Sequence, residues 1–216
     1  MRPIFFAALF LCPIVAGCAE RSAAVRPASV TVEAPEPWRV VSAAQDAAQI
    51  DTLPAIWTRI AARIPPRRAK LIAAEGPLLE ADAALELPQL SPGSYSCRVV
   101  RIGATAGTAQ VRSFPANFCY IALDTEGTLT LTKQTGSDLP AGRLYPAGDK
   151  RYVFLGARQS RVGDNSIAYG TTRDRDIVGV VERFGAFRWR MVSPSRDGRS
   201  IDVYEMTPVP ADRQPE

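Results

Sequence analysis

The chain has 216 residues, 26 of them basic and 22 acidic, for a formal net charge of +4; 46% are hydrophobic, enough for one sizeable core. So small a surplus of interspersed charge is not the footprint of nucleic-acid binding and permits only a loose attraction to an anionic membrane surface. There is no histidine, which excludes Ser-His-Asp and Cys-His catalysis, His-ligated zinc and a histidine pH switch.

Residues 1–17 read as an export signal. Arg2 supplies the positive end, and residues 4–15 form an apolar stretch too short to span a bilayer. It ends at Val15-Ala16-Gly17-Cys18, which resembles the lipobox of bacterial lipoproteins. The resemblance implies cleavage before Cys18, diacylglycerol on its sulfur and acylation of its amino group. Residue 19 is Ala, which in that pattern directs the protein to the outer membrane, facing the periplasm. More than one acyl chain makes such anchoring stable. Residues 18–40, small, polar and Pro-bearing, are expected to form a flexible tether.

Residues 41–90 form the expected helical segment. Ser42-Ala43-Ala44-Gln45 fits a capping box, predicting a helix from Ala43. Pro54 interrupts or restarts it. Leu53, Ile56, Trp57, Ile60 and Ile64 recur at helical spacing, with Arg59 and Arg63 off the stripe. Pro65-Pro66 ends that helix, and a third is predicted over 67–75, stopped by Gly76. Trp57 reads as a core anchor between helix and sheet.

From Ser91 the texture changes to short β-rich runs between Gly, Pro, Asp and Ser clusters, at 95–102, 109–114, 118–123, 128–133, 151–155, 177–184, 187–192 and 201–207. About eight such strands without long intervening helices predict a mainly β domain over 91–208, an antiparallel meander closed as a barrel or a sandwich, with a short tail at 209–216. Residues 176–194 form its central hairpin. A type II′ loop at Gly185-Ala186 would set Phe184 against Phe187, Glu182 against Trp189 and Val180 against Met191, all on one inward face. Arg183, Arg188 and Arg190 would then point outward.

Cys97 and Cys119 are the two cysteines of the folded body. In an oxidising compartment an even pair normally bridges. The inward face of Tyr95, Cys97 and Val99 would meet that of Cys119, Ile121 and Leu123. With neither a Cys-x-x-Cys spacing nor a histidine, no metal or redox role is expected of them.

Three blocks are similar to those of one family: residues 92–103, PGSYSCRVVRIG; residues 142–149 with 152–156, GRLYPAGD and YVFLG; and residues 179–185 with Trp189-Arg190, GVVERFG. They resemble the bacterial envelope family of domain of unknown function 4893, over roughly residues 40–208. The resemblance implies no activity. A looser likeness to lipocalin-type barrels rests on strand count alone, and the Gly-x-Trp opening of lipocalins is absent.

Glu182 is the most unusual residue, a carboxylate on an apolar face that must be paired, hydrogen-bonded or protonated. Arg98 or Arg101 is its expected partner, in a buried ion pair that fixes register. The alternative is a general acid or base in a histidine-free hydrolase, using Arg98 or Tyr95 beside Glu182 and Trp189. Arg183 and Arg188 opposite each other, with Arg190 nearby, need an offset. Asp202 supplies it, or an anionic partner does. The oxygens of Asp164, Asn165, Asp174 and Asp176 in the loop at 160–176 match no EF-hand spacing, and Gly103 to Gly107 lacks the Lys and helix of a phosphate loop. No cofactor and no metal are expected. The function expected is a lipid-anchored, non-enzymatic binding or structural module, whose partners are the membrane through Cys18 and an envelope protein or small ligand at the barrel mouth.

Overall fold

The computed structural model describes residues 36–104, 107, 109–164 and 168–214. The signal, Cys18, most of the tether and Asn165 lie outside them.

Four helices come first: α1 (Pro37–Val41), α2 (Ala44–Asp51), α3 (Leu53–Ala61) and α4 (Pro66–Glu75), then a 3-10 turn at Gly76–Leu79. Helix therefore begins before the expected tether ends, with Trp38 of α1 fully buried. The expected capping box does not form. Ser42 is the C-cap of α1, Ala43 is the N-cap of α2, and neither side chain caps. The α3 stripe behaves as its spacing predicts, burying Leu53, Ile56, Trp57 and Ile60. Helical structure stops at Leu79, short of the expected residue 90.

Nine strands follow: β1 (Gly93–Gly103), β2 (Gln110–Ser113), β3 (Asn117–Leu123), β4 (Leu129–Lys133), β5 (Leu139–Pro146), β6 (Arg151–Gln159), β7 (Asp176–Gly185), β8 (Arg188–Pro194) and β9 (Ser200–Pro208). β2 and β3 lie end to end along one edge of β1, which pairs with β9 along its other edge. Each later strand pairs antiparallel with the next. The result is a closed up-and-down barrel of eight staves, one of them broken at Phe114-Pro115-Ala116. Closure leaves no long free edge.

The expected strand number is right for two offsetting reasons. The runs at 109–114 and 118–123 share one stave, and β5 was not anticipated. Pro140, Gly142 and Pro146 read as breakers, yet Gly142 stands opposite Gly156. A Cβ on Gly142 would lie 2.4 Å from the Gly156 Cα, so the glycines let two backbones approach.

The barrel has two apolar layers. Its interior is filled by side chains such as Tyr95, Phe154, Trp189, Met191, Tyr204 and Met206, as expected of eight staves. Its outer wall, with Val100, Val153, Val180, Val192 and Val203, is buried beneath Trp38, Ile50, Trp57 and Ile60 from the helices. Full burial of each such aliphatic side chain contributes about 1.5–3 kcal/mol. The Cys97–Cys119 disulfide lies in the inner layer, with the Cα atoms 5.6 Å apart, and joins the two paired strands diagonally. Leu123, expected inward, is exposed beyond it.

The central hairpin forms with its register shifted by one residue. Glu182 stands opposite Arg190, Val181 opposite Met191, and Gly185 opposite Arg188, with Phe184 left in a bulge. The turn is carried by Ala186 and Phe187, whose φ is +54°. Trp189 and Met191 point into the barrel, while Val180, Glu182, Phe184 and Arg190 face the helices. A one-residue slip exchanges the faces of one strand. Here both faces are apolar and buried, so periodicity could not choose between them.

Candidate functional site at the barrel mouth

The register decides the fate of Glu182. Its Oε2 accepts hydrogen bonds from Arg190 Nε at 3.0 Å and Nη2 at 2.7 Å. Arg190 is 0% exposed. Its Nη1 also donates to the carbonyls of Pro77, Leu78 and Glu80 at 3.1, 3.0 and 2.6 Å, and its guanidinium carbon lies 5.1 Å from the Trp57 ring centre. A planar, five-donor side chain thus gathers the carbonyls at the end of the 3-10 turn onto the barrel wall. The hollow beside Glu182 measures about 40 Å3, room for water and not for a substrate.

The other residues of the expected constellation lie elsewhere. Arg98 faces outward and bridges Glu75 and Glu205 at 2.7 and 2.6 Å. The Tyr95 hydroxyl is inside the barrel and donates to Ser91 O at 2.7 Å. Arg101 pairs with Asp202. Neither arginine reaches Glu182, so the structure does not assemble the hydrolase constellation. The arginine triad is dispersed too. Arg183 stands opposite Trp189, not Arg188, and donates to Glu86 O. Arg188 pairs with Glu205 at 2.6 Å. Burial pushes the Glu205 carboxyl up, but the hydrogen bonds from Arg188 and Arg98 outweigh it, and the net effect is a lowered pKa. Glu205, rather than Asp202, offsets the outward charge.

One barrel end is covered by the chain that precedes β1. Leu85 bridges to Arg183, the Trp189 indole N–H donates to Pro88 O at 3.0 Å, and Leu90 is buried against the interior.

The opposite end is the mouth, where inward positions become polar. Asp202 accepts two hydrogen bonds from Arg101, at 2.5 and 2.6 Å. Asp138, on the turn between β4 and β5, accepts one from Arg158 and lies 3.7 Å from Arg101. Lys133 is buried and donates to the carbonyls of Ser137 and Asp138. Burial pushes its pKa down, and Asp138 and Asp202 pull it partly back. Beneath them burial drives the Tyr204 phenol far upward, aided by the same two carboxylates, so that it stays neutral. Three cations, Lys133, Arg158 and Arg101, are thus gathered around two carboxylates, Asp138 and Asp202, at the rim.

A cleft of about 240 Å3 opens over this rim, bounded by Arg101, Arg158, Ser193, Arg196, Asp202 and Tyr204 on the barrel side. Asp46 and Gln49 of α2 and Asp174 before β7 form its other wall. The long loop after β6 is fastened to α2 through Asp46, a buried carboxylate that accepts from the Tyr169 hydroxyl at 2.6 Å and from Arg173 at 2.8 Å. Asp176 accepts from the Gly170 N–H and from Arg173, so its oxygens serve the loop. Among the described residues, no group of three or more carboxylates or cysteines is placed to hold a metal ion. A wider hollow of about 480 Å3 lies on the outer wall beside α1, but its cation, Arg143, is already paired with Asp124 and Glu126.

The family model described as Domain of unknown function (DUF4893) matches residues 38–206, from the first turn of α1 into β9. The chain belongs to this family. No curated protein and no solved structure matches it. The DUF4893 match covers the helical cover, the barrel and the mouth together. Within this DUF4893 domain the sequence singled out Arg101 at the mouth, but not Lys133, Asp138 or Arg158. Lys133 carried a usable signal: in Leu129-Thr-Leu-Thr-Lys133 it falls on the leucine face, which the alternation marks as inward.

Proposed function

We propose that this is a lipid-anchored protein of the bacterial cell envelope, held by acylated Cys18 on the outer membrane and facing the periplasm. Its barrel is a non-enzymatic binding module that takes a small polar ligand, or a polar loop of an envelope protein, at the mouth. The observation that carries the binding reading is the contrast between a barrel interior filled with side chains and a rim where charged pairs surround a cleft of about 240 Å3. The charges bordering the cleft have both signs, which suits a zwitterionic ligand such as an amino acid or short peptide. A disulfide buried inside the barrel supports export to an oxidising compartment.

Two measurements test this. Radiolabelled palmitate is expected to enter the protein, and a Cys18→Ala variant to leave the membrane fraction; an unlabelled chain would end the anchored reading. For the mouth, a thermal-shift series with zwitterionic amino acids and short cell-wall peptides is expected to raise the melting temperature. A ligand at 100 times its Kd adds about 2.7 kcal/mol, equivalent to several degrees. The rise should vanish in Asp202→Asn. No rise with any of these ligands, or one unchanged by that substitution, would refute binding at the mouth.

A further inference from the structure

Elsewhere among the described residues, about half of the Lys and Arg side chains meet a carboxylate. Arg39, Arg98, Arg101, Arg143, Arg158, Arg173, Arg188 and Arg190 each meet a carboxylate. The segment from Arg59 to Lys70 breaks that pattern. It carries Arg59, Arg63, Arg67, Arg68 and Lys70 without one acidic residue. Among the described residues none of the five lies within ion-pair distance of a carboxylate, and the Arg68 Nε is buried without a hydrogen-bond partner.

The fold adds to this charge. Arg59 donates to Gly198 O at 3.3 Å, which brings the β8–β9 turn alongside, and Arg199 of that turn borders the same cleft as Arg63. Arg199 is 72% exposed, with Asp197 at the 4.0 Å limit. α4 packs on β2, which presents exposed Arg112. Arg67 and Arg68 occupy the first turn of α4, which has no acidic residue and no side-chain cap. Cations there oppose the helix dipole, so this arrangement costs the folded chain rather than stabilising it. α4 also buries none of its residues and leaves Leu71 48% exposed beside the cations. An amphipathic surface helix with cations and an unburied leucine suits the interfacial zone of a bilayer.

We infer that this face, built from the end of α3, the first half of α4, Arg112 and Arg199, docks the body against anionic phospholipid headgroups. The occupant follows from charge complementarity and from Leu71, which a lipid interface can bury and a soluble anion cannot. The inference uses the anchored reading only for reach. Ala19 to Glu36 can extend at most about 60 Å, so a lipid on Cys18 would keep this face near its leaflet. Each cation near an anionic leaflet then adds to the attraction, which salt screens.

The test uses the mature chain with Cys18→Ser, so that no acyl chain contributes, in sedimentation with vesicles. Partition is expected onto vesicles of phosphatidylcholine with about one-third phosphatidylglycerol, not onto phosphatidylcholine alone, and is expected to fall sharply in high salt. Arg63→Glu with Arg67→Glu and Lys70→Glu should weaken it about 100-fold or more, and the Gln equivalents should weaken it less. Lys150→Glu with Arg161→Glu, exposed cations on other elements, should change it only a few-fold. Circular dichroism must stay unchanged throughout. Equal partition onto both vesicle types, equal losses in the two Glu sets, or sedimentation with purified peptidoglycan but not with vesicles would each overturn the inference. A failed palmitate experiment would leave this result standing, so the two readings fail separately.

Discussion

The two ends of the barrel are made by the same staves, yet their inward polar groups meet different partners. At the covered end, Trp189, Tyr95 and Arg183 donate to main-chain carbonyls of residues 86–91. Those acceptors belong to the chain leading into β1 and stay with the fold. At the mouth, Arg101, Arg158, Asp138 and Asp202 satisfy one another. Side-chain pairs of this kind exchange partners when a ligand offers better ones; backbone carbonyls fixed by connectivity do not. The covered end is therefore the architectural one, and the mouth is the end where the proposed ligand would find exchangeable partners.

The sharpest way to break that comparison is Arg190→Ala. It leaves Glu182 unpaired and takes a donor from the carbonyls of Pro77, Leu78, Glu80 and Ala81 near the covered end, and removing one partner of a buried pair costs about 3–5 kcal/mol. Urea denaturation should show that loss; a loss under about 1 kcal/mol would mean that the cover is held by other contacts. Removing the bridge with Cys97→Ala and Cys119→Ala should cost about 3 kcal/mol without moving the mouth, read by the same denaturation. Trp189→Phe keeps most of the packing but orphans Pro88 O, for about 1–3 kcal/mol. Acid probes the outer wall. The native pKa of Glu205 lies below its ordinary 4.5, so its arginine pairs add stability above pH 4.5. That contribution is lost as the pH falls below 4.5 and through the native value. Glu205→Gln should flatten the acid limb of a stability–pH curve. The smallest effect is expected at the rim. Arg158→Ala, in a half-exposed pair, should change stability by less than about 1 kcal/mol and yet remove any ligand-induced thermal shift.

Much of this was legible in the residues. The α3 stripe and the strand-rich second half follow from spacing and the Cys97–Cys119 bridge from an even cysteine pair, while the face of β1 stays open between Arg98 and Arg101. The failures have separate physical causes, and the largest lies where two surfaces are buried at once. Alternation reports a strand's orientation only when one side meets water, and the 176–194 hairpin is covered inside and out. Its register slipped by one, and with it went the assignment of Glu182 to Arg98 or Arg101. β5 was hidden because the glycine that permits close backbone contact also signals a turn. The cover at residues 85–91 has no periodicity, because it is held through its carbonyls. The mouth was half visible: Arg101 was named, while Asp138 and Arg158 are brought to it only by barrel closure.

That closure has a consequence for how the protein is made. β1 is flanked on one side by β9, and Arg101 pairs with a residue 101 positions later in the chain. Such a seam gives the topology a high contact order and slows folding. It also delays completion of the fold until the last stave has been synthesised. A chain cut short before Ser200 would carry two raw sheet edges, and unpaired edges invite aggregation. Closure of the barrel therefore depends on its final strand.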